Sequence, residues 1–305
     1  MKKMLFIYNP RAGKEAIRTK LSAILEIFVK AEYEVCVYPT LQAKDATRIV
    51  TERGGEFDYI VCSGGDGTLN EVTDGIMTID KEKRPRCGYI PTGTVNDFAS
   101  SLKIPKNMMK AAQIVVEGEE FPCDIGSLNG DYFNYIAGFG AFTDVAYETS
   151  QTAKNMLGKM AYFLDGVSKV PNLQFQHLKI TTEEMVLEDD YIFGMVTNTV
   201  SVGGFKGLVG KRPKLDDGLF EVTLIKNPEN PLELQAIVNA LLTRDKKCEY
   251  IKSFRTSKIE LESKTPFSWT VDGEYGGSYY RVEIENIKQA VRFTRAASRK
   301  RIENK

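Results

Sequence analysis

Histidine is almost missing from this chain: His177 is the only one among 305 residues. That excludes a multi-histidine metal site, and it leaves a Ser/His/Asp triad possible only if His177 itself served. It follows Gln174-Phe175-Gln176 in an edge-like stretch, so a surface histidine is expected. The five cysteines (Cys36, Cys62, Cys87, Cys123, Cys248) are scattered, odd in number and form no CxxC. A disulfide framework and a zinc site are therefore disfavoured, and a reducing cytoplasm is the expected home. No apolar run approaches the ~20 residues that span a bilayer. The apolar stretch 4–8 is too short for the core of a signal peptide. A charge excess is missing too, since Lys+Arg and Asp+Glu both number 41. This argues against a dedicated nucleic-acid binder.

What remains is an ordinary globular composition, 42% hydrophobic and 27% charged, on a chain long enough for two cores. Its first ~120 residues alternate strand and helix. Strands are predicted at 4–8, 34–38, 57–62 and 87–90, and helices from Ile17 to Phe28 and over 43–53, 69–77 and 108–117. Such alternation implies an α/β domain with a parallel sheet, spanning 1–122, whose ligands gather at the carboxyl ends of the strands. The character changes near Phe121. Segments 124–128 and 131–137 flank Asn129-Gly130, a dipeptide suited to a two-residue hairpin turn. Strand-like runs follow at 178–182, 191–199, 219–225, 259–261, 267–271 and 279–284, with one clear helix at 232–242. Residues 155–170 also carry helical spacing. The second half, 123–289, is expected to be an antiparallel β-sandwich domain.

Two glycine-rich loops follow buried-looking strands. They are Gly64-Gly65-Asp66-Gly67-Thr68 and Pro91-Thr92-Gly93-Thr94-Val95-Asn96-Asp97. A strand that empties into a glycine turn and then a helix can hold phosphate, because backbone N–H groups approach closely and the helix dipole favours an anion. A bare Asp would repel phosphate, so Asp66 and Asp97 imply a divalent cation between carboxylate and phosphate. The pair points to a nucleoside triphosphate and to phosphoryl transfer. Thr68 and Asn70 are candidate donors to phosphate, Thr94 can also cap a helix, and Glu71 complements a helix N-terminus. Asn9 and Lys14, after the first strand, are placed to reach a nucleotide. In the second half, 214–219 reads as a hard-cation loop or a β-turn. The run Val271-Asp272-Gly273-Glu274-Tyr275-Gly276-Gly277 reads as an Asp-Gly hairpin turn that could also set a carboxylate beside an acceptor hydroxyl.

Taken together, the Asn9-Pro-Arg-Ala-Gly turn, the two glycine loops, Asp124-Ile125-Gly126, the 214–220 segment and the 271–277 segment resemble the bacterial diacylglycerol kinase-type lipid kinases, relatives of the sphingosine kinase catalytic domains. The resemblance covers nearly the whole chain. It implies ATP and Mg²⁺ as cofactors and a β-rich domain closing a cleft. It also implies a last segment, about 290–305, that returns to the first domain. By the same resemblance Asn9, Thr40, Gly65, Asp66, Gly67, Thr68, Leu69, Asn70, Glu71 and Thr94 match nucleotide-binding positions. Asp66, Asp97 and Asp124 match a carboxylate–water–magnesium network. Lys214, Asp217 and Leu219 match a second, structural magnesium site, and Asp272 and Glu274 match the catalytic acidic pair, with Glu274 favoured as the base and Asp272 on the metal network.

The expected reaction is ATP-dependent phosphorylation of a lipid hydroxyl, most simply diacylglycerol to phosphatidate. The alternatives are a NAD kinase, which shares Gly-Gly-Asp-Gly, and a non-catalytic nucleotide- or lipid-binding protein. A cytoplasmic enzyme acting on a membrane lipid must touch the inner face of the membrane. Lys14, Lys103, Lys106, Lys110, Lys159 and the basic tail 295–305 are candidates for that contact. A homodimer is possible, and no nucleic-acid partner is expected.

Overall fold

The structure is a computed structural model, and it describes residues 1–94, 96–140, 174–199, 214–243, 245 and 247–297, apart from the side chains of 14–16. The helical spacing at 155–170, Lys159, the side chain of Lys14 and the tail from 298 lie outside the described residues. Contacts divide the chain into two units. One is Met1–Cys123 with Gln289–Lys305, and the other is Asp124–Lys288.

In the first unit, β1 (Lys2–Tyr8) lies between β2 (Tyr33–Pro39) and β3 (Tyr59–Gly64), and β3 pairs in turn with β4 (Arg86–Pro91). Every one of these pairs is parallel. Met4–Ile7 and all of β3 are buried, as strands covered on both faces must be. The helices are α1 (Leu21–Lys30), α2 (Asp45–Arg53), α3 (Asp66–Met77), α4 (Asp97–Ser101) and α5 (Met108–Glu117). The first helix begins later than its periodicity suggests, because a 3-10 turn, Ala12–Thr19, takes up the residues before it. The third begins earlier, since Asp66, Gly67 and Thr68 already form its first turn behind Gly65. Helix α4 has only five residues, too few to show a period, and the sequence reading passed over it.

The second unit is antiparallel. Its strands are β5 (Glu119–Leu128), which enters from the first unit, β6 (Asp131–Phe133), β7 (Ile136–Gly140), β8 (Gln176–Thr182) and β9 (Val186–Thr197). After them come β10 (Phe220–Lys226), α6 (Pro231–Thr243), β11 (Ile251–Thr256), β12 (Lys258–Val271) and β13 (Glu274–Arg295). The path runs β11-β10-β9, then a position shared end to end by β7 and β8, then β12 and β13. Leu128 and Phe133 of the β5–β6 hairpin join the same core as Trp269, Phe139 and Phe267. Both dipeptide turns form as their chemistry demands. Asn129 and Gly130 have φ of 49° and 97°, and Asp272 and Gly273 have 49° and 88°. Positive φ at both central residues is the signature of the tight hairpin turn.

Two segments differ from expectation. Strand β11 was not foreseen. Strand β13 runs on through Arg295, which the sequence reading assigned to a solvated tail. There Phe293 pairs with Cys87 of β4 and packs edge-on to Phe98 at 5.0 Å. Arg295 Nε donates to Glu119 Oε1 at 3.0 Å, and its guanidinium sits 3.7 Å from the Phe121 ring centroid. Among the described residues no helix is long and apolar enough to cross a membrane.

Candidate functional site

The carboxyl ends of β1, β3 and β4 carry the glycine loops, and backbone hydrogen bonds lock them together. Gly64 carbonyl accepts the N–H groups of Thr92 (2.8 Å) and Gly93 (3.2 Å), and Ser63 carbonyl accepts Asn9 N–H (2.8 Å). Two glycines are sterically required. A Cβ on Gly93 would lie 2.5 Å from Gly65 Cα, and one on Gly13 (φ +53°) would fall 1.7 Å from the Thr92 carbonyl oxygen. Asn9 Nδ2 donates to Thr68 Oγ1 at 3.3 Å, so the first strand's turn and the first turn of α3 meet. Asn96, in the left-handed region at φ 56°, donates from Nδ2 to the Gly93 carbonyl at 2.6 Å. Thr40, nearly buried, ends β2 with its N–H on the Tyr8 carbonyl at 2.9 Å. Leu69 is fully buried, so its part at the site is to fix the helix, while Thr94 stands exposed at the loop tip.

Three buried oxygens in this cluster have no hydrogen-bond partner: Ser63 Oγ, Asp66 Oδ1 and Thr92 Oγ1. The other carboxylate oxygen, Asp66 Oδ2, accepts the Asp97 N–H at 3.3 Å. Burial, and then the neighbouring charge of Asp97, push the Asp66 carboxyl up to about 6. A buried carboxylate with a bare oxygen and a second carboxylate nearby is a donor set that suits a hard divalent cation. Among the described residues no group of three or more acidic, cysteine or histidine side chains is gathered for a metal. The cation's remaining ligands would therefore be phosphate oxygens and water, the usual arrangement for Mg²⁺ at a nucleotide.

Glu71, one turn into α3, faces elsewhere. Its Oε1 accepts Lys44 N–H (2.8 Å), its Oε2 accepts Ala46 N–H (3.2 Å), and its carbonyl accepts the Thr47 hydroxyl (3.0 Å). It caps α2 from a neighbouring helix, satisfying donors that a helix start leaves open.

In the second unit, Asp124 is fully buried. Its N–H donates to the Leu215 carbonyl (2.7 Å), its Oδ2 accepts Gly218 N–H (2.6 Å), and its carbonyl accepts Asn198 Nδ2 (2.6 Å). It thereby holds the loop that carries Lys214, Asp217 and Leu219. Asp217 Oδ1 accepts Leu219 N–H at 3.2 Å, and its Oδ2 accepts Arg255 Nη2 at 2.5 Å.

Asp272 and Glu274 flank one turn and differ completely. Asp272 is 5% exposed. Its Oδ2 accepts Asn134 N–H (2.7 Å) and Asn134 Nδ2 (3.3 Å), and its Oδ1 accepts the N–H groups of Tyr135 (3.0 Å) and Ile136 (3.1 Å). Its own N–H returns to the Ile136 carbonyl at 2.9 Å. Glu274, at the start of β13, is exposed. The sequence reading missed Asn134, Asn198 and Arg255. Asn134 follows the Asn-Gly hairpin, but nothing local marks it as a partner of Asp272, far along the chain. His177, on β8, is the surface histidine expected: Nδ1 lies 2.7 Å from Asp190 and Nε2 3.4 Å from Glu188.

A parallel sheet whose strands end in interlocked glycine turns, with bare oxygens facing no protein donor, defines a phosphate-handling α/β unit. Residues 3–128 match the family model of the diacylglycerol kinase catalytic domain. The chain is 36% identical over 279 residues to the diacylglycerol kinase of Bacillus subtilis strain 168, covering 91% of each chain. It is 35% identical over 294 residues to that of Staphylococcus carnosus TM300, covering 95% of this chain and 94% of the other. A solved structure of a diacylglycerol kinase from Bacillus anthracis Sterne superposes with a TM-score of 0.75 at 26% identity, covering 96% of this chain and 97% of that one. The chain belongs to the diacylglycerol kinase family: it is a lipid kinase, a phosphotransferase with an alcohol group as acceptor. The NAD kinase and non-catalytic readings are thereby set aside.

Proposed function

We propose that the protein transfers the γ-phosphoryl group of ATP to the free hydroxyl of diacylglycerol, giving phosphatidate. The observation that carries this reading is the set of bare buried oxygens, Ser63 Oγ, Asp66 Oδ1 and Thr92 Oγ1, at the interlocked glycine loops. Backbone N–H groups of 65–68 and the α3 N-terminus hold the phosphates, while Asn9 and Thr68, already bonded to each other, fix the edge of the nucleotide site. Asp66 and Asp97 would hold Mg²⁺. When bound, Mg²⁺ offsets the negative charge that develops on the phosphates.

Glu274 is the base. Phosphoryl transfer needs a carboxylate free to accept the proton of the attacking hydroxyl. Both Asp272 oxygens already accept two N–H groups each, so taking a proton there would break that set. Asp272 is instead the positioning residue that fixes the turn carrying Glu274. A membrane lipid as acceptor requires peripheral contact with a bilayer, for which Lys103, Lys106 and Lys110 are candidates.

The test uses γ-labelled ATP, Mg²⁺ and mixed micelles of diacylglycerol, with label counted in the organic phase. Labelled phosphatidate is expected, and Glu274→Gln should cut kcat by roughly 10²- to 10⁴-fold while ATP binding persists. ATP binding without organic-phase label would rule out this acceptor.

A further inference from the structure

The loop that carries Lys214, Asp217 and Leu219 faces a cation built into the chain. Arg255 lies on β11, directly opposite Glu221 of β10 in the antiparallel register. Its Nη2 donates to Asp217 Oδ2 at 2.5 Å, and its Nε lies 3.2 Å from Glu221 Oε1. Glu221 is only 4% exposed, and its second oxygen, Oε2, has no partner. Remove the guanidinium and a buried carboxylate is left uncompensated, the costly half of a broken ion pair. Asp217 meanwhile has both oxygens occupied, one by Arg255 and one by the Leu219 N–H. Neutral donors also tie the loop. Asp124 N–H donates to the Leu215 carbonyl, and Gly218 N–H donates to Asp124 Oδ2.

By the resemblance, a divalent ion at this loop would take Asp217 as its one charged ligand and carbonyls as the others. A guanidinium already on that oxygen takes one of its lone pairs and repels a divalent ion approaching it. We propose that Arg255 supplies, from within the chain, the positive charge that the resemblance assigns to a second magnesium, so that the order of this loop does not depend on metal. One cation bridges two carboxylates on adjacent elements, Asp217 before β10 and Glu221 within it, and this is the work a structural ion would otherwise do. The proposal rests on the family reading only for the expectation of a second cation. Its test measures metal binding and unfolding rather than phosphoryl transfer, so either reading can fail without the other.

The full-length, nucleotide-free protein is titrated with Mn²⁺ by electron paramagnetic resonance, and melted in EDTA and in excess Mg²⁺, as wild type, Asp217→Asn and Arg255→Gln. Expected is that Asp217→Asn leaves wild-type Mn²⁺ binding unchanged. Arg255→Gln should melt several degrees lower in EDTA, recover on adding Mg²⁺, and gain one Mn²⁺ site that wild type lacks. A wild-type Mn²⁺ site that Asp217→Asn abolishes would overturn the proposal. So would an Arg255→Gln protein with unchanged melting and no response to metal. If Arg255→Gln does not fold, the wild-type against Asp217→Asn comparison decides alone.

Discussion

Asp66 and Asp272 each sit where a strand meets a turn, and each keeps carboxylate oxygen away from water, yet their surroundings are opposite. Asp66, in the first unit, has one oxygen with no protein partner, and the Asp97 charge beside it adds to the cost of ionising it. Asp272, in the second unit, is met by four N–H groups from Asn134, Tyr135 and Ile136. The first arrangement is poor for the isolated fold and suited to binding something. The second closes on itself and gives the fold its turn. A carboxylate's role is thus set by how many donors the chain has already aimed at it, and the mere presence of an Asp in a motif does not settle that role.

The sharpest way to break the comparison is Asp272→Ala. It would leave three buried backbone N–H groups without an acceptor, at about 1–3 kcal/mol each. Denaturant unfolding of the full chain should show a loss of several kcal/mol, enough to threaten the fold. Glu274→Gln, two residues on, should leave the same curve unmoved while catalysis falls. If Asp272→Ala is as stable as wild type, the positioning role is wrong.

Asp66→Asn should act in the other direction. Removing a buried charge next to Asp97 should stabilise the metal-free protein by about 1 kcal/mol, at the cost of phosphoryl transfer. The pH dependence carries the same sign. The folded carboxyl is pushed up to about 6 from 3.8, so the folded state holds that proton more tightly than the unfolded chain does. In the absence of metal, stability from this group declines as pH rises from about 4 through 6 and then levels off. Thermal melts across that window, with Asp66→Asn as the flat control, measure it. Millimolar Mg²⁺ with nucleotide should flatten the wild-type slope as well.

The smallest effect is at His177. Its hydrogen bond to Asp190, and then that to Glu188, raise its pKa above 6.5, so its contribution is present below about pH 6.5 and lost as pH rises past the folded value. With the ring exposed and screened, His177→Gln should change the melting midpoint slightly at pH 6 and not at pH 9.

Much of this was legible because it is local. The glycine loops and the Asn-Gly and Asp-Gly turns are read from neighbours in sequence, since the backbone dihedrals they require admit few residue types. The rest depends on partners brought from afar. Glu71 matches a nucleotide-binding position by motif, but its carboxylate meets N–H groups of Lys44 and Ala46 on α2, which no spacing within α3 announces. Asp217 reads as a cation ligand, and only the register of β11 against β10 reveals the guanidinium beside it. Arg295 reads as part of a basic tail because Glu119 and the Phe121 ring, which it meets, lie far earlier in the chain.

The late return of the chain also sets a clock. Strand β4 takes its outer neighbour from the end of β13, where Phe293 pairs with Cys87. On a ribosome adding about 5–20 residues per second, that edge of β4 waits roughly 10–40 s for its partner while the whole second unit is made. Through that interval the nascent first unit presents an unpaired, apolar strand edge, the kind of surface on which neighbouring nascent chains assemble. The period of greatest risk to this enzyme therefore falls before its synthesis is finished, and codon choice across 124–288 becomes a determinant of yield.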